Sequence, residues 1–407
     1  MTSPRTTTPP PVQRPSLPRG TVLRRAAVSG AVAGAAAAVA GVAVTGTAAH
    51  LARRIVTPVP DQPDDVEVLG VGAGTITLRA AEETRAPGRY GLWQDGGSVH
   101  VRVGEIVDVD VVSRTVTRRL DGVDRGRLHA GSGRWNQYYY AGTPRDLGLE
   151  VGDDEVATPL GAMPAWRVPP AGGEATGGTW AVLVHGRNAT REECLRALPL
   201  LHTLGLTSLV VSYRNDAGAP RSPRGRYRLG DAEWVDVEAA IVHALEAGAR
   251  DVVLLGWSMG AAIALQTVAR SWLAPRIRAL VLDAPVVDWR DVLVHQARVH
   301  GVPAPVGALA QMLLEHPHAR RFAGLEQPVP LDRLDWVSRA AELRLPTLIL
   351  HSEDDAFVPA GPSRRLAQAR PDLVTYVPFH GAAHTREWNV DPQAWEGAVA
   401  RFLLEHR

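Results

Sequence analysis

A serine between two glycines is the side chain of this sequence best placed to act as a nucleophile. Residues 256–260 read Gly-Trp-Ser-Met-Gly, with Ser258 at the centre, and the apolar run 252–255 precedes them. An Ala-rich segment of helical composition follows to about residue 270. The order strand, sharp turn and helix is that of a nucleophile elbow, in which the serine hydroxyl stands clear of the sheet. The turn also places Ser258 at a helix N-terminus, where free N–H groups and the helix dipole favour developing negative charge.

Candidate acids and bases follow this serine in the order that its chemistry needs. A serine hydroxyl is a weak nucleophile near neutral pH, so it needs a base within hydrogen-bond reach, and the base needs an acid that fixes its tautomer. In sites built on such an elbow, the acid precedes the base along the chain. Asp354 and Asp355 lie just past the apolar strand 348–351. His380 and His384 lie in the loop after the last predicted strand.

Alternating strands and helices supply the elements that must position these residues. Continuous apolar strands between helices, which begin at about residue 176, predict an α/β fold with a mostly parallel sheet covered on both faces. Helical segments and prolines interrupt the alternation at 285–344, and we expect this insertion to lie over the strand ends as a small lid. In the first predicted helix, Thr190 and Glu193 have the spacing of a capping box. The predicted strands are 180–185, 206–213, 252–256, 277–283, 345–352 and 373–378, and the predicted helices are 190–204, 230–247, 261–270, 362–369 and 392–405.

Five short motifs at the strand ends are shared with one known family. They are His185-Gly186 after the first strand, Tyr213-Arg214 after the second, Gly-Trp-Ser-Met-Gly at 256–260, Asp355-x-x-Val358-Pro359 and Gly381-x-x-His384. With these motifs, residues 176–407 resemble the α/β-hydrolase superfamily, nearest to its serine aminopeptidase, monoglyceride-lipase and esterase-like branch. The combination is specific for the fold and much less specific for a substrate.

The resemblance implies a nucleophile and a base. Ser258 would be the nucleophile, because it occupies the centre of the family's Gly-x-Ser-x-Gly motif. His384 would be the base, because it completes the Gly-x-x-His ending better than the rival His380.

The same resemblance selects the acid. Asp355 would take this role rather than Asp354, because the family's acid stands three residues before the valine of Val-Pro, and that valine is Val358. Asp283 and Asp288, which follow an earlier strand, are remoter candidates.

An oxyanion site needs two preorganised donors. One would be the backbone N–H of Met259, directly after the nucleophile. The other would come from the loop after the first strand, where Arg187 follows His185-Gly186, with Asn188 as the alternative donor. The family often has a small or apolar residue at this place. Arg187 is therefore a departure, and its side chain is expected to narrow the site or to meet an acidic substrate.

The N-terminal part of the chain suggests export or anchoring. Residues 1–25 are rich in Pro, Thr and Arg, which is typical of a disordered tail. We assign 26–50 to a transmembrane anchor or signal segment, because 26–49 carry no charged side chain and a crossing takes about 20 apolar residues. More Arg precedes the segment than directly follows it, which favours a cytoplasmic N-terminus, a spacer at 57–63 and a catalytic domain outside the cytoplasm. A cleaved signal peptide ending near 47–49 and an Ala-rich helix of a cytoplasmic protein are the alternatives.

Residues 64–170 form a separate predicted unit. Short alternating runs separated by turn residues indicate a small β-rich region. Its glycines at 70–74 resemble a dinucleotide-binding loop, but 75–78 alternate like a strand and no helix opens there, so we predict a turn instead. The aromatic residues Trp135 and Tyr138–Tyr140 are expected to pack in a core or between domains.

Composition limits the partners. The 407 residues carry a formal net charge of +1, which gives no bulk attraction to nucleic acid. Cys194 is the only cysteine, which excludes an intrachain disulfide and a zinc-finger pattern. The histidines, including His316 and His318, show no convincing metal spacing, so we expect neither a metal nor a cofactor.

The expected function is that of a serine hydrolase acting through an acyl-enzyme. A carboxylic ester, or a related acyl bond in a small-molecule or lipid-like substrate, is the first choice because ester cleavage is the broadest activity of the resembling family. A serine peptidase with a peptide substrate is the nearest alternative. A non-catalytic binding protein of the same fold is the alternative of another class, but retention of Ser258, Asp355 and His384 argues against it.

Overall fold

The computed structural model describes residues 41–59, 63–173 and 178–406. Two sheets organise these residues: a closed six-stranded barrel comes first along the chain, and an eight-stranded sheet follows. The predicted tail at 1–25 and the predicted membrane segment as far as residue 40 lie outside the described residues.

The barrel forms from the first part of the predicted β-rich region. Its strands alternate between buried apolar and exposed residues, because successive side chains of a strand point to opposite faces. The glycine-rich residues 70–74 contain the tight turn between the first two strands, as predicted. Neighbouring strands are antiparallel in the order β1-β2-β5-β4-β3-β6. The elements are β1 (Val66–Gly72), β2 (Thr75–Arg79), α2 (Glu82–Arg85), β3 (Tyr90–Gln94), β4 (Val99–Asp110), β5 (Thr115–Arg125) and β6 (Gly131–Asn136).

The rest of the predicted β-rich region belongs to the other sheet. The hairpin of β7 (Gly152–Thr158) and β8 (Gly161–Val168) pairs through β8 with the eight-stranded sheet. The predicted boundary near residue 170 is therefore too late, because an antiparallel hairpin has the same alternation whichever sheet it joins.

The eight-stranded sheet has the order β14-β13-β12-β11-β9-β10-β8-β7. Its six strands from β9 onward are parallel, and only the β7–β8 hairpin is antiparallel to its neighbours. This confirms the predicted mostly parallel sheet. The parallel strands are β9 (Thr179–Val184), β10 (Thr207–Val211), β11 (Asp251–Trp257), β12 (Ile277–Asp283), β13 (Thr347–Ser352) and β14 (Val374–Phe379).

Helices cover both faces of this sheet. Along β11, Val252 and Leu254 pack into one apolar cluster, and Val253 and Leu255 pack into the other. The first cluster includes residues of α4 (Trp234–Glu246), α5 (Met259–Arg270) and α8 (Gly361–Ala369). The second includes residues of α3 (Leu198–Thr203), α9 (Glu387–Val390) and α10 (Pro392–His406).

The segment 285–344 contains helices and no strand. It contains α6 (Trp289–Val299), α7 (Ala304–Glu315) and short 3₁₀ turns. Buried residues of both helices, such as Trp289 and Leu314, join the first apolar cluster. The insertion is thus packed against the body of the sheet domain over part of its length.

Residues 41–56 form a helix, α1, that packs on the sheet domain. Ala48, Ala52 and Val56 are fully buried in the first apolar cluster. The carbonyl oxygen of Val56 accepts the Tyr227 N–H at 2.8 Å. In the part of the chain that the structure describes, no helix is long and apolar enough to span a bilayer. Because α1 reaches the domain at Ala48, the predicted spacer at 57–63 does not separate it from the domain.

Candidate functional site

The turn that carries Ser258 has the geometry of a nucleophile elbow. Ser258 has φ 52° and ψ −113° between the end of β11 and the start of α5. The flanking glycines are required by space: a Cβ on Gly256 would lie 2.6 Å from the Ala261 nitrogen, and one on Gly260 would lie 2.1 Å from the Val184 oxygen. The strained serine backbone is held by these close approaches, and strain of this kind concentrates at functional sites.

Three of the predicted site residues form a continuous hydrogen-bonded row. Ser258 Oγ lies 2.8 Å from His384 Nε2, and His384 Nδ1 lies 2.7 Å from Asp355 Oδ2. Ser258 follows β11, Asp355 follows β13 and His384 follows β14, so that the carboxyl ends of three parallel strands bring them together. A carboxylate on Nδ1 favours the tautomer whose Nε2 is free to accept a proton.

The surroundings of Asp355 keep it ionised. Its Oδ1 accepts the N–H groups of Phe357 and Val358 at 2.8 and 2.9 Å. Burial raises the pKa of Asp355, but the charge of His384 and the hydrogen bonds from His351 and His384 outweigh burial and hold the pKa below its usual value. The Asp355 carboxylate is therefore both fixed in orientation and negatively charged at neutral pH.

His351 is a site residue that the sequence reasoning missed. It is fully buried, with Nε2 3.3 Å from Asp355 Oδ2 and 3.0 Å from the Val358 oxygen. Its Nδ1 lies 2.8 Å from Ser363 Oγ. When the Ser363 hydroxyl donates to Nδ1, the imidazole proton of His351 lies on Nε2 and points at the Asp355 carboxylate. The available signal was a histidine near the end of an otherwise apolar strand.

The rival acids and the rival base have other partners. Asp354 accepts the Gly381 N–H at 2.7 Å and lies 3.8 Å from His380, and both side chains are mostly exposed. Asp283 is buried and accepts the indole N–H of Trp395. Asp288 caps the N-terminus of α6.

The loop after β9 lies directly against the serine. A Cβ on Gly186 would lie 3.3 Å from Ser258 Cβ. The Gly186 N–H donates to Glu193 Oε2 at 2.7 Å and is therefore engaged. Within residues 41–59, 63–173 and 178–406, no protein atom accepts the N–H of Met259 or of Arg187. These are the two donors that the sequence predicts for an oxyanion.

The side chains of Arg187 and Asn188 are turned toward α1. Arg187 Nη1 donates to the Ile55 oxygen at 3.3 Å, and Asn188 Oδ1 accepts the Val59 N–H at 2.9 Å. Burial lowers the pKa of the Arg187 guanidinium. The guanidinium of Arg187 is thus in contact with the end of α1.

A buried ion pair lies beneath the site. Glu193 Oε1 and Arg196 Nη2 are 3.6 Å apart, and Arg196 Nη1 donates to the oxygen of Thr385, the residue after His384, at 2.7 Å. The pair joins the loop after β9 to the loop that carries the histidine. The capping-box prediction for Glu193 is wrong, because its carboxylate accepts the Gly186 N–H and the 3₁₀ helix there has no side-chain cap.

A buried pair of carboxyl groups, Asp283 and Glu387, lies nearby. Ser258 N–H donates to the Asp283 backbone oxygen at 3.0 Å, and Glu387 Oε1 accepts the Ser352 N–H at 2.9 Å. Burial, followed by the charge of Asp283, raises the pKa of Glu387 well above its usual value. The raised pKa favours the neutral form of Glu387, whose carboxyl group can then donate to Asp283.

The arrangement can carry out nucleophilic chemistry. His384 can take the proton of Ser258, Asp355 can stabilise the imidazolium that forms, and the free N–H groups can receive a developing anion. Among the described residues, no group of three or more His, Cys, Asp and Glu side chains is placed to hold a metal ion.

The chain is similar to a solved structure and to a curated protein. The structure resembles an esterase of Pyrococcus furiosus, Pf2001, with a TM-score of 0.50 and 18% sequence identity, covering 65% of this chain and 94% of that one. A protein of Mycobacterium tuberculosis, described as uncharacterized, is 29% identical over 230 residues, which are 55% of this chain and 70% of that protein.

Two family profiles match separate parts of the chain. A domain of unknown function (DUF8805) matches residues 67–136, which coincide with the barrel. The alpha/beta hydrolase family matches residues 181–398, which are more than half of the 407 residues and include every residue of the Ser258, His384 and Asp355 row. The chain therefore belongs to the alpha/beta hydrolase family.

Proposed function

We propose that this protein is a serine hydrolase that cleaves carboxylic esters through an acyl-enzyme. Ser258 is the nucleophile, His384 the base and Asp355 the acid. The observation that carries the proposal is the unbroken row from Ser258 Oγ through His384 to Asp355, with contacts of 2.8 and 2.7 Å on a strand–turn–helix elbow.

Acylation follows from this geometry. As Ser258 Oγ attacks the ester carbonyl carbon, His384 Nε2 takes the hydroxyl proton and Asp355 stabilises the imidazolium. The carbonyl oxygen becomes an anion that accepts the N–H groups of Met259 and Arg187. The intermediate then expels the alkoxide, which leaves as an alcohol after taking the proton from His384.

Deacylation uses the same residues in the same roles. A water molecule gives one proton to His384 Nε2 as its oxygen attacks the acyl carbon. Collapse of the second intermediate releases the carboxylic acid, and His384 returns the proton to Ser258 Oγ. The proton balance closes, and the second product is the acid.

The helical insertion is proposed to shape substrate choice. His295 of α6 donates to the Ala356 oxygen at 2.8 Å, and Gln296 donates to the Phe357 oxygen at 2.8 Å. The Phe357 ring lies 5.1 Å from the ring of His384. The insertion thus contacts the loop of the acid next to the reacting groups, where a lid would act.

Fluorophosphonate labelling tests the proposed chemistry. Wild-type protein is expected to be labelled to full stoichiometry, whereas Ser258→Ala is expected to stay folded and unlabelled. Ser338→Ala, which changes an exposed serine bonded to Asp335, is the matched control and should label normally. Stoichiometric labelling of Ser258→Ala would eliminate the assignment.

A substrate panel separates the alternatives. p-Nitrophenyl esters of increasing acyl length test the esterase, and p-nitroanilides of amino acids test the peptidase. Turnover of anilides with no turnover of any ester would replace the ester proposal by a peptidase. Absence of both turnover and labelling in folded protein would favour the non-catalytic binding protein.

The location of the enzyme is a separate proposal. We propose that the segment before Ala48 tethers the hydrolase to a membrane with the catalytic domain outside the cytoplasm, on the support of the uncharged residues 26–47. Carbonate-resistant membrane association with an externally digestible domain is the expected result. Full-length protein found only in the cytoplasmic fraction would contradict it, and a shortened exported form would indicate a signal peptide.

A further inference from the structure

The barrel lies against the loop that carries His384. Arg89, just before β3, donates its N–H to the Asn389 oxygen at 3.0 Å, and Asn389 Nδ2 donates back to the Arg89 oxygen at 2.6 Å. Gly88 has φ +98°, and a Cβ there would lie 2.4 Å from the Asn389 oxygen. Asn389 is fully buried. The two parts of the chain therefore meet backbone to backbone, with no room for a side chain between them.

A buried arginine makes this part of the barrel rigid. Arg118 of β5 is fully buried. It donates to the oxygens of Thr84 and Ala86 at 2.9 and 2.8 Å and also to the oxygen of Gly88. Each of these bonds has a charged donor, which makes it stronger than a bond between neutral groups. The segment that meets Asn389 is thus fixed to the interior of the barrel.

Gln137, the residue after β6, provides a second contact. The backbone oxygen of Gln137 accepts a hydrogen bond from Asn389 Nδ2 at 2.9 Å, and the side-chain Nε2 of Gln137 donates to Glu193 Oε1 at 3.3 Å. The other oxygen of Glu193 holds the Gly186 N–H beside Ser258. One barrel residue therefore touches both the loop of the base and the support of the loop after β9.

Arg196 links Asn389 to His384. One guanidinium nitrogen, Nη1, donates both to Asn389 Oδ1 at 3.2 Å and to the Thr385 oxygen at 2.7 Å. Thr385 directly follows His384 and has a φ of 54°, a backbone conformation that depends on its surroundings. A shift of Asn389 therefore moves the Arg196 guanidinium, which holds the backbone of the histidine loop at Thr385.

We propose that the barrel positions the active site, and that Asn389 is the positioning residue through which it sets the place of His384. The inference rests on the proposed function, in which His384 must stay within hydrogen-bond reach of Ser258 Oγ. Substrate contacts are not part of this role, so its loss lowers kcat and leaves KM unchanged. The barrel is accordingly part of the catalytic unit and not an independent module.

Two alanine substitutions at glycines of the barrel separate this role from general barrel stability. Gly88→Ala pushes the barrel away from Asn389. Gly97→Ala is the matched control, because Gly97 has the same φ of +98° and its nearest neighbour, Trp93, is 4.0 Å away. Both changes place an alanine at the same positive φ, but only the first collides with Asn389. We expect Gly88→Ala to lower kcat and the rate of fluorophosphonate labelling by about 10- to 100-fold, since a displacement near 1 Å costs that much, and Gly97→Ala to leave both unchanged.

If Gly88→Ala does not fold, a second variant, Asn389→Asp, tests the inference. Asn389→Asp is isosteric and keeps the acceptor for Arg196, but it removes the donor to the oxygens of Arg89 and Gln137. We expect it to lower kcat without raising KM. Wild-type kcat in folded Asn389→Asp would overturn the inference, as would equal effects of Gly88→Ala and Gly97→Ala on kcat.

Hydrogen exchange makes the result independent of catalysis. Backbone amides of residues 380–391 should exchange faster in Gly88→Ala than in wild-type protein and Gly97→Ala. If wild-type protein is neither labelled nor active, the proposed function fails, while faster exchange in Gly88→Ala alone still supports the seating of the loop by the barrel. Identical exchange in all three proteins would refute that seating.

Discussion

Asp355→Asn is the change whose effect the geometry defines most closely. Asp355 Oδ1 already accepts two N–H groups, from Phe357 and Val358. An asparagine at this place keeps those two bonds only if its own oxygen occupies the Oδ1 position. Its NH₂ group must then face His384 Nδ1, which is 2.7 Å from Oδ2 in the wild-type protein. The opposite orientation would point the NH₂ group at two backbone donors and lose both bonds.

This orientation gives His384 the wrong tautomer. With a donor on Nδ1, the imidazole proton moves to Nε2, which then donates toward Ser258 and cannot accept its proton. The NH₂ group also faces His351 Nε2, 3.3 Å from Oδ2, which is a donor as well. We expect kcat to fall by about 10⁴-fold, as when the acid of a serine triad is replaced by its amide. This corresponds to about 5.4 kcal/mol in the activation free energy, at about 1.36 kcal/mol per tenfold change.

Steady-state kinetics on a p-nitrophenyl ester measure this loss, with thermal unfolding as the check on the fold. Asp354→Asn is the matched control. Asp354 is mostly exposed, accepts the Gly381 N–H and lies 3.8 Å from His380, so its amide should retain nearly full activity. Loss of activity in Asp354→Asn together with normal turnover in Asp355→Asn would refute the assignment and the tautomer reasoning.

Three further predictions concern the surroundings of the site. The pKa of Glu387 is raised in the folded protein, so its neutral form stabilises the fold fully below the unfolded pKa, and this stability is lost as pH rises through the folded pKa. In melting experiments, Glu387→Gln should therefore gain stability relative to wild type as pH rises. Parallel curves of stability against pH for the two proteins would exclude a protonated Glu387. His295→Ala should alter the acyl-length preference among p-nitrophenyl esters more than the labelling of Ser258, and unchanged preference would reduce α6 to packing. Ala52→Glu should lower the melting temperature strongly because it buries an unpaired carboxylate, whereas Ala43→Glu on the exposed part of α1 should not; equal melting temperatures would contradict the docking of α1.

Some features of this protein are local properties of its sequence. Glycines at 256 and 260 around a serine, between an apolar strand and an Ala-rich segment, predict the elbow, because the turn has no room for a side chain at either glycine position. The alternation of strands and helices after residue 176 predicts the parallel sheet. Asp355 and His384 each come directly after a predicted strand, in the chain order that the serine chemistry needs. These are constraints between neighbouring residues or between whole elements, which a sequence carries directly.

Other features depend on contacts between residues far apart in the chain. Asp354 and Asp355 are the same residue type side by side, and the Val-Pro motif favours Asp355. The fold supplies the physical reason, because the loop turns the N–H groups of Phe357 and Val358 to the Asp355 carboxylate, which lies beside His384. Alternating residues at 152–168 predict a hairpin but not the sheet that it joins. Glu193 has helix-cap spacing, yet its carboxylate accepts the N–H of Gly186, which precedes the helix in the loop after β9.

The N-terminal segment shows the same limit. A run of Ala, Val and Gly has the composition of a moderately apolar membrane helix and equally that of a helix that fits closely on a protein surface. Burial of Ala48, Ala52 and Val56 against the sheet domain depends on a complementary surface formed by residues far along the chain. The sequence by itself determined the elbow, the alternation of strands and helices around it and, through the Val-Pro motif, the choice of Asp355. Only the tertiary structure decided how Asp355 and the histidine meet, which sheet each hairpin joins and what α1 packs against, because each depends on partners that are distant in sequence.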